Sequence, residues 1–162
     1  MQNPPCEPGS AAAPTAGLHF TKQLIQNLCE NAIELAFITL HIGPGTFRPV
    51  SSEDPRNHFL DPEAYWVTDK AATTINQAKL EGRRVICVGT TTMRVVETVA
   101  AKRNTSPPLK AGSGWADLLI LPGHNFKVAD GLVTNFHMPR SSLLMLVSAF
   151  AGMQSVLDAY SS

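Results

Sequence analysis

Apolar positions along this chain take two forms, helical spacing and short unbroken runs, and the alternation between them is the first structural signal. Leu24, Ile25, Leu28 and Ala32 share one helical face, with Thr21 placed to cap it. Leu35 to Ile42 is a mostly apolar run suited to a buried strand; it carries His41 near its end, and Gly43-Pro44-Gly45-Thr46 breaks it sharply. Phe47-Arg48-Pro49-Val50 opens a long irregular stretch, which in a compact domain is more often functional than idle. Thr68 then caps a helix that turns Ala71, Ala72, Ile75 and Ala78 inward and is closed by Gly82. Val85 to Val88 predicts a short apolar strand. Gly89-Thr90-Thr91-Thr92 opens the next helix, which buries Met93, Val96, Val99 and Ala100. After a Pro-containing loop over 104–113, Leu118 to Leu121 predicts another buried strand, ended by Pro122-Gly123. Lys127 to Thr134 reads as a short strand or hairpin around Asp130-Gly131. Ser141 caps a helix through Leu143, Leu144, Met145, Leu146 and Val147 that has no polar face and therefore needs enclosure. A short helical piece ends the chain.

Strands that are apolar throughout and alternate with helices predict an α/β fold, a mainly parallel sheet flanked by helices. Residues 1–17, rich in Pro, Gly, Ala and Ser, read as an extended N-terminal segment, and 18–162 as one α/β domain. Hydrophobic residues are 44% of the 162 and charged residues 16%, which suits a compact, core-rich domain. Thirteen basic residues balance thirteen acidic ones, so no net field steers the domain to nucleic acid. Lys79, Arg83, Arg84, Lys102 and Arg103 are the nearest thing to a basic patch and read as a solvated face. Cys6, Cys29 and Cys87 fit neither a zinc spacing nor a disulfide frame. Cys29 and Cys87 read as small buried hydrophobes, which favours a reducing, cytoplasmic setting. No secretory signal is expected at the start, and the run from Leu143 to Ala151 is too short to cross a bilayer.

Sites in parallel α/β folds collect where strands end and the next loops begin. Three predicted strand ends carry polar groups: His41, the Gly89–Thr92 run, and Pro122-Gly123-His124. A helix that starts directly after a strand offers free N–H groups to an anion, and the hydroxyls of Thr90, Thr91 and Thr92 stand beside them. Arg94 lies in or next to that first turn, where its charge opposes the helix dipole. Either an anionic ligand or an i,i+3 pair with Glu97 would compensate it. The turn Thr134-Asn135-Phe136-His137-Met138-Pro139-Arg140-Ser141-Ser142 gathers a histidine, an amide and an arginine; alternatively His137 and Asn135 simply satisfy backbone groups there. His19, His41 and His137 each flank an element boundary. Singly each reads as a hydrogen-bonded structural histidine; together they suggest acid/base work near neutral pH. Their spacing is not that of a metal site, and no metal is expected.

Four of these stretches carry a family likeness: Pro14-Thr15-Ala16-Gly17-Leu18-His19-Phe20-Thr21, Leu40-His41-Ile42-Gly43-Pro44-Gly45-Thr46-Phe47-Arg48-Pro49-Val50, Gly89-Thr90-Thr91-Thr92-Met93-Arg94, and Thr134-Asn135-Phe136-His137-Met138-Pro139-Arg140-Ser141. In this order they resemble the S-adenosylmethionine:tRNA ribosyltransferase-isomerases of queuosine biosynthesis, over about Pro8 to Ala151. The resemblance implies transfer and rearrangement of the ribosyl part of S-adenosylmethionine onto 7-aminomethyl-7-deazaguanine in tRNA, giving epoxyqueuosine with release of adenine and methionine. S-adenosylmethionine is then a co-substrate, and no cofactor is implied. The family's architecture is a barrel-like α/β domain with an inserted β-barrel. This chain resembles only the C-terminal half, a partial barrel without the insert. Asp61 stands where the family usually has a second histidine, although Glu63 is kept; Trp115-Ala116 replaces a usual Glu-Thr, and His124 an aromatic residue.

The expected site combines the two readings. The Thr90, Thr91, Thr92 and Arg94 helix start receives the methionine carboxylate or a tRNA phosphate. His41, His137 and His19 are the catalytic candidates, and Asn135, Arg140, Gly43 and Gly45 orient substrate. An incomplete barrel leaves strand edges unpaired, so a homo-oligomer or a chain supplying the missing N-terminal half is expected. The rival expectation is a truncated, non-catalytic α/β module that needs self-association or a partner chain.

Overall fold

The computed structural model describes residues 15–43, 50, 52, 54–103 and 106–161. Thr15–Leu18 forms a helical turn, α1, where the composition predicts an extended segment, and the rest of that segment lies outside the described residues. Helix α2 (Lys22–Glu30) is capped by Thr21, whose hydroxyl accepts the Leu24 N–H at 3.1 Å. The strand β1 is shorter than its apolar run, Ile38–His41, and β2 follows at Glu63–Val67. Thr68 caps α3 (Asp69–Leu80) through the Ala71 N–H, and Ala71, Ala72, Ile75 and Ala78 are its buried face, as the spacing predicts. The next elements are β3 (Ile86–Val88), α4 (Thr90–Arg103), β4 (Gly112–Ala116) and β5 (Gly131–Val133). Ser141 caps α5 (Ser142–Ala151), and α6 (Met153–Ser161) closes the described chain.

The α/β class holds, but the sheet is not mainly parallel. β1, β2 and β4 form an antiparallel sheet in the order β1-β2-β4, and only β3 and β5 pair in parallel. A parallel neighbour needs a crossover of a dozen or more residues, normally a helix. Between β1 and β2 the described residues hold only a 3₁₀ turn at Pro55–Asn57, so the chain returns antiparallel. β2 falls inside the stretch that reads as irregular. Leu118–Leu121 forms no strand, although Ile120 is buried; the strand lies six residues earlier. Its reason is a packing fit. Gly114 sits opposite Tyr65, and a Cβ there would come within 2.8 Å of the Tyr65 hydroxyl, so the glycine makes room for the ring.

The core lies around α4. Met93, Val95, Val96, Val99 and Ala100 pack with Val67, Ala71, Ile75, Ala116, Ile120 and Val128 from the sheets, α3 and the loops, and with Leu146 of α5. α4 is buried on nearly every side, whereas α5 is not. Only Ser142 and Leu146 of α5 are fully buried, so the enclosure its sequence demands is incomplete here. Cys87 is buried as read, but Cys29 is exposed on α2, a helix with no buried residue. No single helix among the described residues is long and apolar enough to cross a membrane. α5 and α6 reach that length only together, and the chain bends by 111° between them.

Among the described residues no ladder joins the two sheets. Between the free edge of β1 and the free edge of β3 lies a cleft of about 610 Å³, lined mainly by apolar side chains.

Candidate functional site

The parallel pair β3–β5 sets the position of the site. Val88 lies opposite Val133, so both strands end at one rim, and the chain leaves β3 into α4 and β5 into the 134–140 turn. Gly89 makes the first of these exits with φ +94°, a conformation that favours glycine. Its N–H donates to the Val133 carbonyl at 2.9 Å, and its own carbonyl accepts from Met93 at 3.2 Å, the first turn of α4. Thr90 and Thr91 are buried there, and Thr91 and Thr92 line the cleft between the sheets.

The 134–140 turn receives the other stretches singled out in the sequence. Asn135 Nδ2 donates to Thr15 Oγ1 at 2.8 Å, tying α1 to the turn. Val50, at the end of the loop that follows His41, donates its N–H to the Arg140 carbonyl at 2.7 Å. Arg140 itself is exposed and holds φ +55°. Three hydrogen bonds, Gly89–Val133, Thr15–Asn135 and Val50–Arg140, thus bring four separate stretches to one place.

Within the turn, His137 is held from both sides. Its Nε2 lies 3.1 Å from Thr134 Oγ1, its N–H donates to the Tyr160 hydroxyl at 2.5 Å, and that hydroxyl donates back to the His137 carbonyl at 3.2 Å. Burial holds the His137 imidazole below its ordinary pKa, so the ring is a neutral base at pH 7. Phe136 packs edge-on against Tyr160 at 4.8 Å yet is 73% exposed. His41 is half-buried opposite Ala64, and His19 is exposed just past α1. No hydrogen bond among the described residues joins the three histidines. Gly43 is half-buried after β1, and Gly45 lies outside the described residues.

Arg94 is 2% exposed and finds a partner that helical spacing does not suggest. Its Nη2 pairs with Glu63, the first residue of β2, rather than with Glu97. Its Nε is buried and meets no acceptor among the described residues. Glu97, 1% exposed, is engaged elsewhere. Its Oε1 accepts the Val128 and Ala129 N–H groups at 2.9 and 3.0 Å, and its Oε2 accepts that of Lys127 at 2.9 Å. It serves as an internal anion that fixes the approach to β5. His124 stacks edge-on against Phe126 at 4.7 Å, with Nε2 3.6 Å from Glu97 Oε2. Burial pushes the Cys87 thiol up to about 12, which makes it inert. Among the described residues no three His, Cys, Asp or Glu side chains gather as metal ligands.

Sequence reasoning misses Tyr160 and Glu97 as site-building residues. Glu97 leaves a signal: a lone acid in Val95-Val96-Glu97-Thr98-Val99 must be buried and must find donors. Tyr160 leaves none, because its partner lies 23 residues away across a turn.

Residues 5–162 match the family described as queuosine biosynthesis protein. The chain is similar to proteins named S-adenosylmethionine:tRNA ribosyltransferase-isomerase from Moorella thermoacetica (57% identical over 154 residues, 95% of this chain and 44% of the relative) and Clostridioides difficile (53% over 152 residues, 94% and 44%). It also superposes on the crystal structure of an S-adenosylmethionine tRNA ribosyltransferase from Thermotoga maritima, with TM-score 0.69 and 37% identity, covering 90% of this chain and 44% of that one. The chain thus spans less than half the length of the relatives it matches.

Proposed function

The chain belongs to the queuosine biosynthesis protein family, and from that premise we propose that it carries one half of an S-adenosylmethionine:tRNA ribosyltransferase-isomerase site. S-adenosylmethionine is the ribosyl donor, 7-aminomethyl-7-deazaguanine in tRNA the acceptor, and epoxyqueuosine the product. The observation that carries this reading is the meeting of α1, the loop after His41 and the start of α4 with the end of β5 and the 134–140 turn through three hydrogen bonds.

A sulfonium acidifies the C–H bonds beside it, and His137, kept neutral by burial, takes such a proton from the donor. His41 delivers a proton to departing adenine, and His19 lies on the segment that Asn135 anchors through Thr15. The amides of the α4 start, with Thr90, Thr91 and Thr92, receive the methionine carboxylate, and Arg94 Nε is the side-chain donor left over for it. Asn135, Gly43, Gly45 and Arg140 orient the substrates. The exposed Phe136 offers a face for a base to stack on. The site is completed by the part of the relatives' length that lies outside the match or by self-association of this chain, and the setting is cytoplasmic.

Titration calorimetry with S-adenosylmethionine and an adenine-release assay with tRNA bearing 7-aminomethyl-7-deazaguanine test this. His137→Gln is expected to retain donor binding and to lower adenine release by about 10²–10⁴-fold. A chain that binds no S-adenosylmethionine, or a His137→Gln variant with full release, refutes it.

A further inference from the structure

The antiparallel register of β1, β2 and β4 sorts their side chains onto two faces. Directly opposite residues point to the same side of a sheet, and successive residues alternate. Ile38, Leu40, Tyr65, Val67 and Ala116 turn inward to the core, and Glu63 to Arg94. The outer face then carries Thr39 and His41 from β1, Ala64 and Trp66 from β2, and Ser113 and Trp115 from β4. His41, Ala64 and Trp115 form one row across the sheet, and Thr39, Trp66 and Ser113 the next. Trp66 therefore stands diagonal to both His41 and Trp115, at a separation of about 7–8 Å that aromatic rings can span. The chain has two tryptophans, and both are on this face. Trp115 is 61% exposed, and neither indole stacks on another ring or makes a hydrogen bond among the described residues. The face holds no carboxylate and no aliphatic side chain larger than alanine. Positive charge borders it. Lys102 Nζ, in the last turn of α4, donates to the Trp115 carbonyl at 2.8 Å and pairs with Asp117 at 3.2 Å; Arg103 follows it, and Lys110 is exposed just before β4.

We infer that this outer face is a stacking platform for single-stranded RNA, with bases laid on Trp115 and Trp66 and phosphates drawn to Lys102, Arg103 and Lys110. Bases of any sequence stack on aromatic side chains of an open sheet, and a basic border follows the strand's backbone. Two features favour a strand over other occupants. His41, Trp66 and Trp115 line no part of the cleft between the sheets, and their face is open, so a base held there needs the added grip of its phosphates. A second copy of this chain brings no net negative charge to the basic border, because its thirteen acidic and thirteen basic residues balance. Since His41 shares the row of Trp115, a strand seated on the platform leads to one of the proton carriers of the proposed reaction. The platform is not part of the family likeness, for Trp115 stands where the family usually has a glutamate. Only the identity of the RNA, a tRNA, rests on the proposed function; the stacking surface rests on the register.

The two tryptophans make the full chain its own probe. A short single-stranded RNA of mixed sequence, free of 7-deazaguanine, is expected to quench tryptophan emission saturably. Its affinity is expected to fall with salt by a log–log slope of about −0.7 for each phosphate neutralised. Trp115→Leu, a change at an exposed position, is expected to weaken binding by about 5- to 150-fold, read by the anisotropy of a labelled RNA. Trp115→Phe is expected to keep most of the affinity, because a base stacks on the ring and not on its bulk; circular dichroism checks the folding of both. RNA that does not bind, RNA that binds without changing tryptophan emission, or a Trp115→Leu variant that binds as tightly as the parent overturns the platform. Equal quenching by free adenosine also overturns it, since the strand is then not what is recognised. So does a dimer, seen by light scattering, that Trp115→Leu dissolves, because the face then belongs to a second copy. A failed titration with adenine release intact sinks the platform and leaves the catalytic reading standing; quenching intact with no S-adenosylmethionine bound does the reverse.

Discussion

Arg94→Met tests the buried pair that joins α4 to the start of β2. The substitution keeps the aliphatic stem, so packing changes little, but it takes the guanidinium away from a Glu63 carboxylate that is 1% exposed. Breaking a buried ion pair from one side costs about 3–5 kcal/mol, because the remaining charge stays desolvated. Against a total stability of about 5–15 kcal/mol, that is a large share. With a urea m-value of about 2 kcal/mol/M, the midpoint falls by about 2 M. The double variant Arg94→Met/Glu63→Leu removes both charges together and is expected to return to within about 1 kcal/mol of the parent, since apolar replacements of a buried pair are often neutral. The single-variant loss is expected to be insensitive to 1 M salt, because water does not reach the pair.

S-adenosylmethionine affinity, measured on the same proteins, separates the two possible roles. If Arg94 Nε holds the donor's carboxylate, the double variant regains stability without regaining affinity. A midpoint shift below about 0.5 M for Arg94→Met, or a double variant no better than the single ones, refutes the assignment of Glu63 as the partner that matters.

Three further perturbations follow from the same geometry. Glu97→Gln keeps the shape but sets an amide N–H₂ against one of three backbone donors and removes the charge from the others; it is expected to cost about 2–4 kcal/mol by urea unfolding. Tyr160→Phe removes both bonds that clamp the His137 backbone and is expected to cost only about 1 kcal/mol of stability while lowering adenine turnover. The pH dependence carries a definite sign. The folded His137 pKa lies below the ordinary 6.5 of the unfolded chain, so between the two values the unfolded state binds more protons. His137 therefore costs nothing above pH 6.5 and destabilises progressively as pH falls from there through the folded value. His137→Gln removes that contribution, which thermal melts of both proteins from pH 7.5 to 5 measure.

Where cap, periodicity and closing glycine agree, local sequence decides the element. α3 between Thr68 and Gly82 and α5 behind Ser141 begin at the caps the residues name, and the strand–turn–helix at Val85 to Met93 follows its pattern. Pairing direction is not legible, because it depends on which segments meet. Nothing in Glu63-Ala64-Tyr65-Trp66-Val67 shows that Tyr65 will lie over Gly114, and a strand that begins with a buried glutamate breaks the alternation that marks strands. The site divides the same way. Its member stretches are visible as polar groups at strand ends, and their meeting at the 134–140 turn runs through backbone groups and short side chains. Arg94's partner is hidden for the opposite reason: it lies 31 residues away, beyond any helical spacing rule.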